Sequence, residues 1–389
     1  MSYIPYGRQH ITPEDIQAVV DVLQSDYITQ GPTIQAFEQT VAQYCGARYA
    51  VAMSNATAAL HIACLVADMG PGDRLWTSPN TFVASANCGL YCGATVDFVD
   101  IDPKTYNMSV SALEEKLIQA QKSGTLPKII VPVHFSGQSC EMQAISTLAK
   151  QYGITVLEDA AHAIGGDYQG HKIGGCQYSD MTVFSFHPVK IITTGEGGMV
   201  LTNRKDLYEK LCRLRSHGVT RDKALLQNAQ EGAWYYEQQE LGFNYRMTDI
   251  QAALGVSQMK RLDEFVDRRR VLASQYDALL KDLPLKTPWQ HPDTASSFHL
   301  YVIQLDKAIR RQVFDAMRAQ EVGVHVHYIP VHTQPYYQDL GFKPGDFPYS
   351  EQYYQQALSL PLYYDLTDAQ QQQVVHTLTK ALQAAEIKV

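Results

Sequence analysis

Lys190 lies in the run Ser185-Phe186-His187-Pro188-Val189-Lys190-Ile191-Ile192-Thr193-Thr194-Gly195-Glu196-Gly197-Gly198, between an apolar stretch that reads as a buried strand and a glycine cluster that reads as a tight loop. A lysine at a strand end, beside a loop that lets other groups approach, has the setting for Schiff-base chemistry if burial or charge lowers its pKa. Taken alone, most lysines are solvated surface charges. Asp159 closes Ile154-Thr155-Val156-Leu157-Glu158-Asp159, a short apolar strand followed by Ala160-Ala161-His162. An aspartate there can reach a ligand in the crevice beyond the strand ends of an open α/β sheet, and it can equally be a cap or loop carboxylate. Tyr49-Ala50-Val51-Ala52-Met53 reads as a strand that turns through Ser54-Asn55-Ala56-Thr57-Ala58 into a helix. Asn55 or Ser54 can cap that helix, and its small side chains leave the first N–H groups open to an anion; an ordinary capped helix is the plain alternative. Together the three segments hold the parts of a pyridoxal phosphate site: an amine for the aldehyde, a carboxylate for the pyridine nitrogen and a cup for the phosphate.

The elements that must position these residues follow from hydrophobic pattern. Thr12-Pro13-Glu14-Asp15 starts a helix running to about residue 23, and a second covers 33–44. From residue 49, apolar runs at 49–53, 74–78, 96–100, 128–133, 155–158, 181–185 and 199–202 alternate with helical segments, the signature of a mostly parallel sheet covered by helices. A helical pattern over 247–283 reads as a single connection to a C-terminal α+β portion with strands at 297–305 and 323–331 and a helix at 311–320. Thr367-Asp368-Ala369-Gln370 opens a last helix with a capping box, and the glutamines at 370–373 read as a solvated face. At 389 residues the chain suits two domains.

A net charge of −8 argues against a nucleic-acid binder, though a local basic pocket can still hold a nucleotide sugar. No apolar run approaches membrane-spanning length and no N-terminal basic-then-apolar segment appears, so a cytoplasmic enzyme is expected, with no membrane partner. The seven cysteines are scattered and odd in number, which reads as reduced, buried thiols. His325 and His327 share one strand face, a spacing permissive for zinc, but no acid or cysteine completes a set with His332, and no metal is expected. The G-x-G-x-x-G turn of a nicotinamide enzyme is absent; SNATAAL stands at the comparable strand-to-helix junction.

The chain resembles fold-type I, vitamin B6-dependent aminotransferases of the DegT/StrS sugar group. The resemblance is carried by SNATAAL, SPNTFVAS, VPVHFSGQ, LEDAAHAIG, FSFHPVKIITTGEGG, LGFNYRMTDIQAALG and VHYIPVHTQPYY, spread from near residue 27 to residue 337. It implies a mixed seven-stranded sheet with helices on both faces, a large domain over 1–250 and a small C-terminal one over 251–389. It also implies Lys190 as the cofactor lysine and proton carrier, and Asp159 on the pyridine nitrogen. Phe82 would stack on the ring and His162 would meet the phenolic oxygen. Thr57, Ala58 and Ser185 would hold the phosphate, with Asn244 reaching it from the neighbouring subunit of a homodimer. His332 is expected beside the sugar; Tyr6, Tyr27 and His217 are weaker candidates for that pocket. HPVKIITTGEGG and VHYIPVH resemble the members serving pseudaminic acid biosynthesis. The implied reaction moves an amino group from L-glutamate to C4 of a UDP-4-keto-6-deoxy-N-acetylhexosamine. A dTDP sugar fits the residue types as well, and a non-catalytic, cofactor-binding regulator is the rival from another class. The intact Lys190 favours transamination over the deoxygenating members, which carry histidine there.

Overall fold

The computed structural model describes residues 3–386. The helices α1 (Pro13–Leu23) and α2 (Pro32–Cys45) precede a central sheet built from β1 (Tyr49–Met53), β2 (Arg74–Thr77), β3 (Thr95–Phe98), β4 (Ile129–Val131), β5 (Thr155–Asp159), β6 (Met181–Ser185) and β7 (Gly198–Thr202). Between them run α3 (Ala56–Val66), α4 (Ala84–Tyr91), α5 (Val110–Ser123) and α6 (Met142–Tyr152); α7 (Lys205–Leu214), α8 (Asp249–Met259) and α9 (Leu262–Leu280) follow the sheet. The strand order is β1-β7-β6-β5-β4-β2-β3. Only β7 runs against its neighbours, so it alone starts on the edge where β1, β5 and β6 end. Alternation sorts the side chains: Val51, Met53, Val183 and Val200 pack under α3, α4 and α7, whereas Ala50, Ala52, Phe184 and Leu201 pack toward α2, α8 and α9. This is the mixed seven-stranded fold type I sheet that the sequence motifs imply.

Beyond α9, β8 (Tyr301–Gln304) and β9 (Ala357–Leu360) pair antiparallel. They are accompanied by α10 (Arg310–Ala319), α11 (Pro335–Asp339), α12 (Pro348–Gln356) and α13 (Asp368–Glu386). Apolar packing changes hands inside α9. Phe265 and Val266 join the cluster under the large sheet, and Leu272, Ala273 and Tyr276 join a C-terminal cluster with Tyr301, Val313, Leu358 and Leu378. That cluster also takes in Ile4, whose backbone pairs with Glu321 (2.9 Å) and Gly323 (2.7 Å). Arg269 on α9, 2% exposed, donates to the carbonyls of Phe298 (3.2 Å), His299 (3.3 Å) and Leu362 (3.0 Å). Burial lowers its pKa to about 10.

Three expectations change. The single helix over 247–283 is two, because Lys260 and Arg261 bond three residues back and turn the chain so that Arg261 meets Asp15 (2.5 Å). The segment 323–331 forms no strand; only His325 bridges to Ser359, and a 3-10 turn at Val331–Thr333 follows Pro330. Within the glutamine run, Gln371 is 1% exposed and donates to the Leu272 carbonyl (2.7 Å), tying α13 to α9. All seven cysteines are unpaired and six are buried. Among the described residues no helix is long and apolar enough to cross a membrane.

Behind the end of β5, buried Glu158 faces away from Asp159 and accepts from His134 Nε2 (2.6 Å), Thr182 Oγ1 (3.1 Å) and Ser179 Oγ. The Cys140 N–H donates to His134 Nδ1 (3.1 Å), which leaves the ring proton on Nε2 for Glu158. Burial raises the Glu158 pKa, but these donors outweigh it and hold the carboxyl below its ordinary value. A depressed pKa contributes stability that is present above the ordinary carboxylate range and lost as pH falls through the folded value. Glu158→Gln is therefore expected to destabilise the protein by about 3 kcal/mol at pH 7, through an amide set against three donors. The gap to wild type should narrow below about pH 4, as read by urea denaturation across pH; a gap constant with pH would contradict the charged network.

Candidate active site

The ends of β5 and β6 bring the first two groups together. Asp159, 5% exposed, accepts from Ser85 Oγ (2.6 Å) and the Ala161 N–H (3.1 Å). Because Ser85 gives its proton to the carboxylate, its oxygen accepts from Thr81 Oγ1 (2.7 Å), making a directed relay from α4 and the loop before it. Lys190 follows β6 on a turn closed by its own N–H to the His187 carbonyl (2.9 Å). Burial lowers its amine pKa to about 8, against the opposing pull of the Asp159 charge. That is the depression an imine-forming lysine needs near neutral pH.

The start of α3 forms the anion end. Asn55 caps it, its Oδ1 accepting from Ala58 N–H (2.8 Å) and its carbonyl from Ala59 N–H (3.1 Å). The expected Ala58 contact is corrected in one respect: its N–H is already taken by Asn55, so the N–H groups of Ala56 and Thr57, with the Thr57 hydroxyl, are the open donors. Gly198, opposite Met53 and Ser185 in register, presses on this turn. A Cβ there would stand 2.5 Å from the Asn55 carbonyl and 2.6 Å from Ala56 N, so β7 can start here only with glycine. Ser185 lines the same end.

A cleft of about 790 Å³ joins these groups. Phe82 stands in its wall 59% exposed, with its ring 6.4 Å from that of Tyr328. His162 accepts at Nδ1 from the Ser136 N–H (3.2 Å) and meets Tyr328 Oη at Nε2 (3.0 Å). Burial, then the charge of Lys190, holds its pKa well below the ordinary value. Tyr6, fixed by the Leu362 N–H on its carbonyl (3.0 Å), packs 5.4 Å from the rings of His325 and His327. Burial pushes His327 down to about 3, and its Nδ1 meets Ser359 Oγ (2.8 Å).

The family profile described as the DegT/DnrJ/EryC1/StrS aminotransferase family matches residues 9–379. The chain belongs to that family. It is 40% identical to the spore coat polysaccharide biosynthesis protein SpsC of Bacillus subtilis, over 99% of this chain and 98% of the relative. Among solved structures, Helicobacter pylori PseC, an aminotransferase involved in the biosynthesis of pseudoaminic acid, superposes with a TM-score of 0.89 at 31% identity, covering 98% of this chain and 100% of PseC. The PLP form of Spr1654 from Streptococcus pneumoniae gives 0.89 at 27% identity, over 98% and 99% of the two chains.

DegT/StrS proteins of this kind are sugar aminotransferases that use pyridoxal phosphate, and this chain is one of them. The residues present fit the group. An amine of lowered pKa, a buried carboxylate and a helix start with open N–H donors line one cleft beside an uncovered aromatic ring.

Four expected residues lie elsewhere. His332 is fully buried outside the cleft, bonded to Glu351 (2.9 Å) and packed on Phe347 (4.8 Å), because the turn after Pro330 carries it behind the wall toward Phe98; the expected sugar contact is thereby corrected. Tyr27, His217 and Asn244 are exposed and outside this chain's own cleft. His332 is thus parted from His325 and His327, and among the described residues no three metal-ligating side chains converge. Sequence reading missed Ser85, His299 and Tyr328. Ser85 and Tyr328 stand inside the SPNTFVAS and VHYIPVH motifs, but nothing in the spacing marks which residue of each faces inward.

Adding pyridoxal phosphate to cofactor-free protein is expected to develop a visible absorption band at a rate that rises with pH through about 8. Only the uncharged amine attacks the aldehyde, so a midpoint near the ordinary lysine value of about 10 would contradict the burial argument.

Proposed function

We propose that this enzyme transfers the amino group of L-glutamate to C4 of a UDP-4-keto-6-deoxy-N-acetylhexosamine, on a route to pseudaminic acid. The observation that carries the chemistry is the meeting of Lys190, Asp159 and the open start of α3 in one cleft. The sugar assignment rests on the likeness to PseC. When bound, pyridoxal phosphate supplies the carbonyl that receives the amino group and the ring that takes up the electrons of the broken C–H bond. Lys190 would hold the cofactor through its aldehyde carbon, the aldehyde oxygen leaving as water, and as a free amine would carry the proton off the donor carbon and return it as general base and acid. The Asp159 carboxylate, held by Ser85 and Ala161, keeps a proton on the pyridine nitrogen because its charge favours the cationic form. Ala56, Thr57 and Ser185 bind the phosphate, Phe82 covers the ring, and Tyr6 faces the sugar. Asn244, which lies outside its own cleft, serves the site of a second copy in a homodimer. Exposed apolar residues in the segment before Asn244, Trp234 (76%) and Leu241 (80%), support that pairing.

A second reading is favoured by the 40% identity to SpsC: a related nucleotide sugar destined for a surface polysaccharide, with UDP or dTDP as carrier.

The test is turnover of UDP- and dTDP-4-keto-6-deoxy sugars with L-glutamate, scored by the aminated product and 2-oxoglutarate. Product only from the dTDP sugar would replace the first reading with the second. Lys190→Ala is expected to lose the visible band and all measurable turnover. Asp159→Asn should retain the cofactor while kcat falls at least about a hundredfold; an unchanged kcat would remove Asp159 from this role.

A further inference from the structure

The hydrogen bonds around His162 have a direction, and it fixes where a second hydroxyl points. The Ser136 backbone N–H can only donate, so His162 Nδ1 is an acceptor and carries no proton (3.2 Å). Burial and the Lys190 charge keep the ring neutral, so its single proton is on Nε2, the atom that faces Tyr328 Oη (3.0 Å). Tyr328 therefore accepts from His162, and its own O–H cannot be given back. Tyr328 and His162 both line the cleft, and no other acceptor among the described residues meets the phenol. Its ring is held by Phe135 at 6.1 Å and Phe82 at 6.4 Å. Its backbone N–H is held by Asn80 Oδ1 (3.4 Å).

We propose that Tyr328 is a second hydroxyl donor of the active site, aimed by His162 at a negatively charged or strongly polarised oxygen in the cleft. This rests on the cofactor reading above and changes the part assigned to His162. Its Nε2–H is committed to Tyr328, so it acts as a positioning residue and does not touch the ligand itself. Two oxygens share the required chemistry: the phenolic oxygen of pyridoxal phosphate and the carbonyl oxygen of the keto-sugar. A phenol stays protonated at working pH, since burial raises the Tyr328 pKa further, so the donor is present throughout the pH range of the reaction. The other ionisable groups facing this corner are Asp159, Lys190, His299, His327 and Tyr6.

Tyr328→Phe removes one oxygen and keeps the ring packing. The pH midpoint of the visible band should be compared in cofactor-loaded wild type, Tyr328→Phe and His162→Leu, together with KM and kcat for the keto-sugar. If the acceptor is the phenolic oxygen, Tyr328→Phe loses a bond that stabilises the free phenolate, and the midpoint rises by about one unit. If it is the sugar carbonyl, the midpoint stays, and kcat/KM for the sugar falls about tenfold while the glutamate half-reaction is unchanged. In either case His162→Leu shifts the same quantity in the same direction by less. An unaltered midpoint and unaltered sugar kinetics in Tyr328→Phe would overturn the inference, as would a larger effect of His162→Leu than of Tyr328→Phe. A wild type that forms no visible band would remove the cofactor reading and this inference with it.

Discussion

An amine stripped of part of its hydration beside a carboxylate that must remain charged is the arrangement on which the rest of this molecule depends. Burial lowers the Lys190 pKa and Asp159 pulls it back, and the balance rests near 8. A lysine paired more tightly would stay charged and inert. The frame resolves this by geometry. β5 and β6 lie side by side and parallel, so their ends deliver both groups to one edge. Ser85 and Ala161 satisfy Asp159, while Glu158, one residue earlier, turns to the opposite face and is satisfied by His134, Thr182 and Ser179. The single antiparallel strand, β7, exists at this edge because Gly198 lets it start against the first turn of α3.

Much of this was legible in sequence because it is local. The run Thr12-Pro13-Glu14-Asp15, a cap residue followed by proline and early acids, predicts α1, and the apolar run at 181–185 coincides with β6. The strand-to-helix junction at Asn55 is visible in the small residues that follow it. What sequence could not carry is the identity of long-range partners. A capping asparagine and an open N–H look alike in SNATAAL, and only the fold shows that Ala58 is spent on Asn55. In VHYIPVH and the residue just before it, His325, His327, Tyr328 and His332 compete for the ligand. The backbone leaves pairing after His325, turns at Pro330 and sends His332 into packing against Phe347. Gln371 reads as solvated from its neighbours and is buried because α9 offers it the Leu272 carbonyl. Each miss follows from tertiary contact overriding local pattern.

The wall opposite the lysine has a different origin from the floor. Tyr6 comes from the first residues described, and Ile4 is strapped to residues 321–323. His299 and Leu362 are drawn together by the Arg269 guanidinium, which bonds three carbonyls across two turns of chain and accepts burial without a carboxylate partner in hydrogen-bond contact. Backbone oxygens with no net charge hold that cation, so the wall is fixed without adding an anion beside Lys190.

The strapping of Ile4 onto residues 321–323 separates two jobs in the gene as well as in space. The floor that holds Lys190 and Asp159 is written between residues 55 and 198, whereas Tyr6, His299 and Tyr328 in the cleft wall are written in the first few codons and after residue 298. The two stretches meet at the hydrogen bond between His162 and Tyr328, so a substitution at either of those positions is felt across both. The intervening hundred or so codons are not neutral ground either, because Tyr245 also lines the cleft.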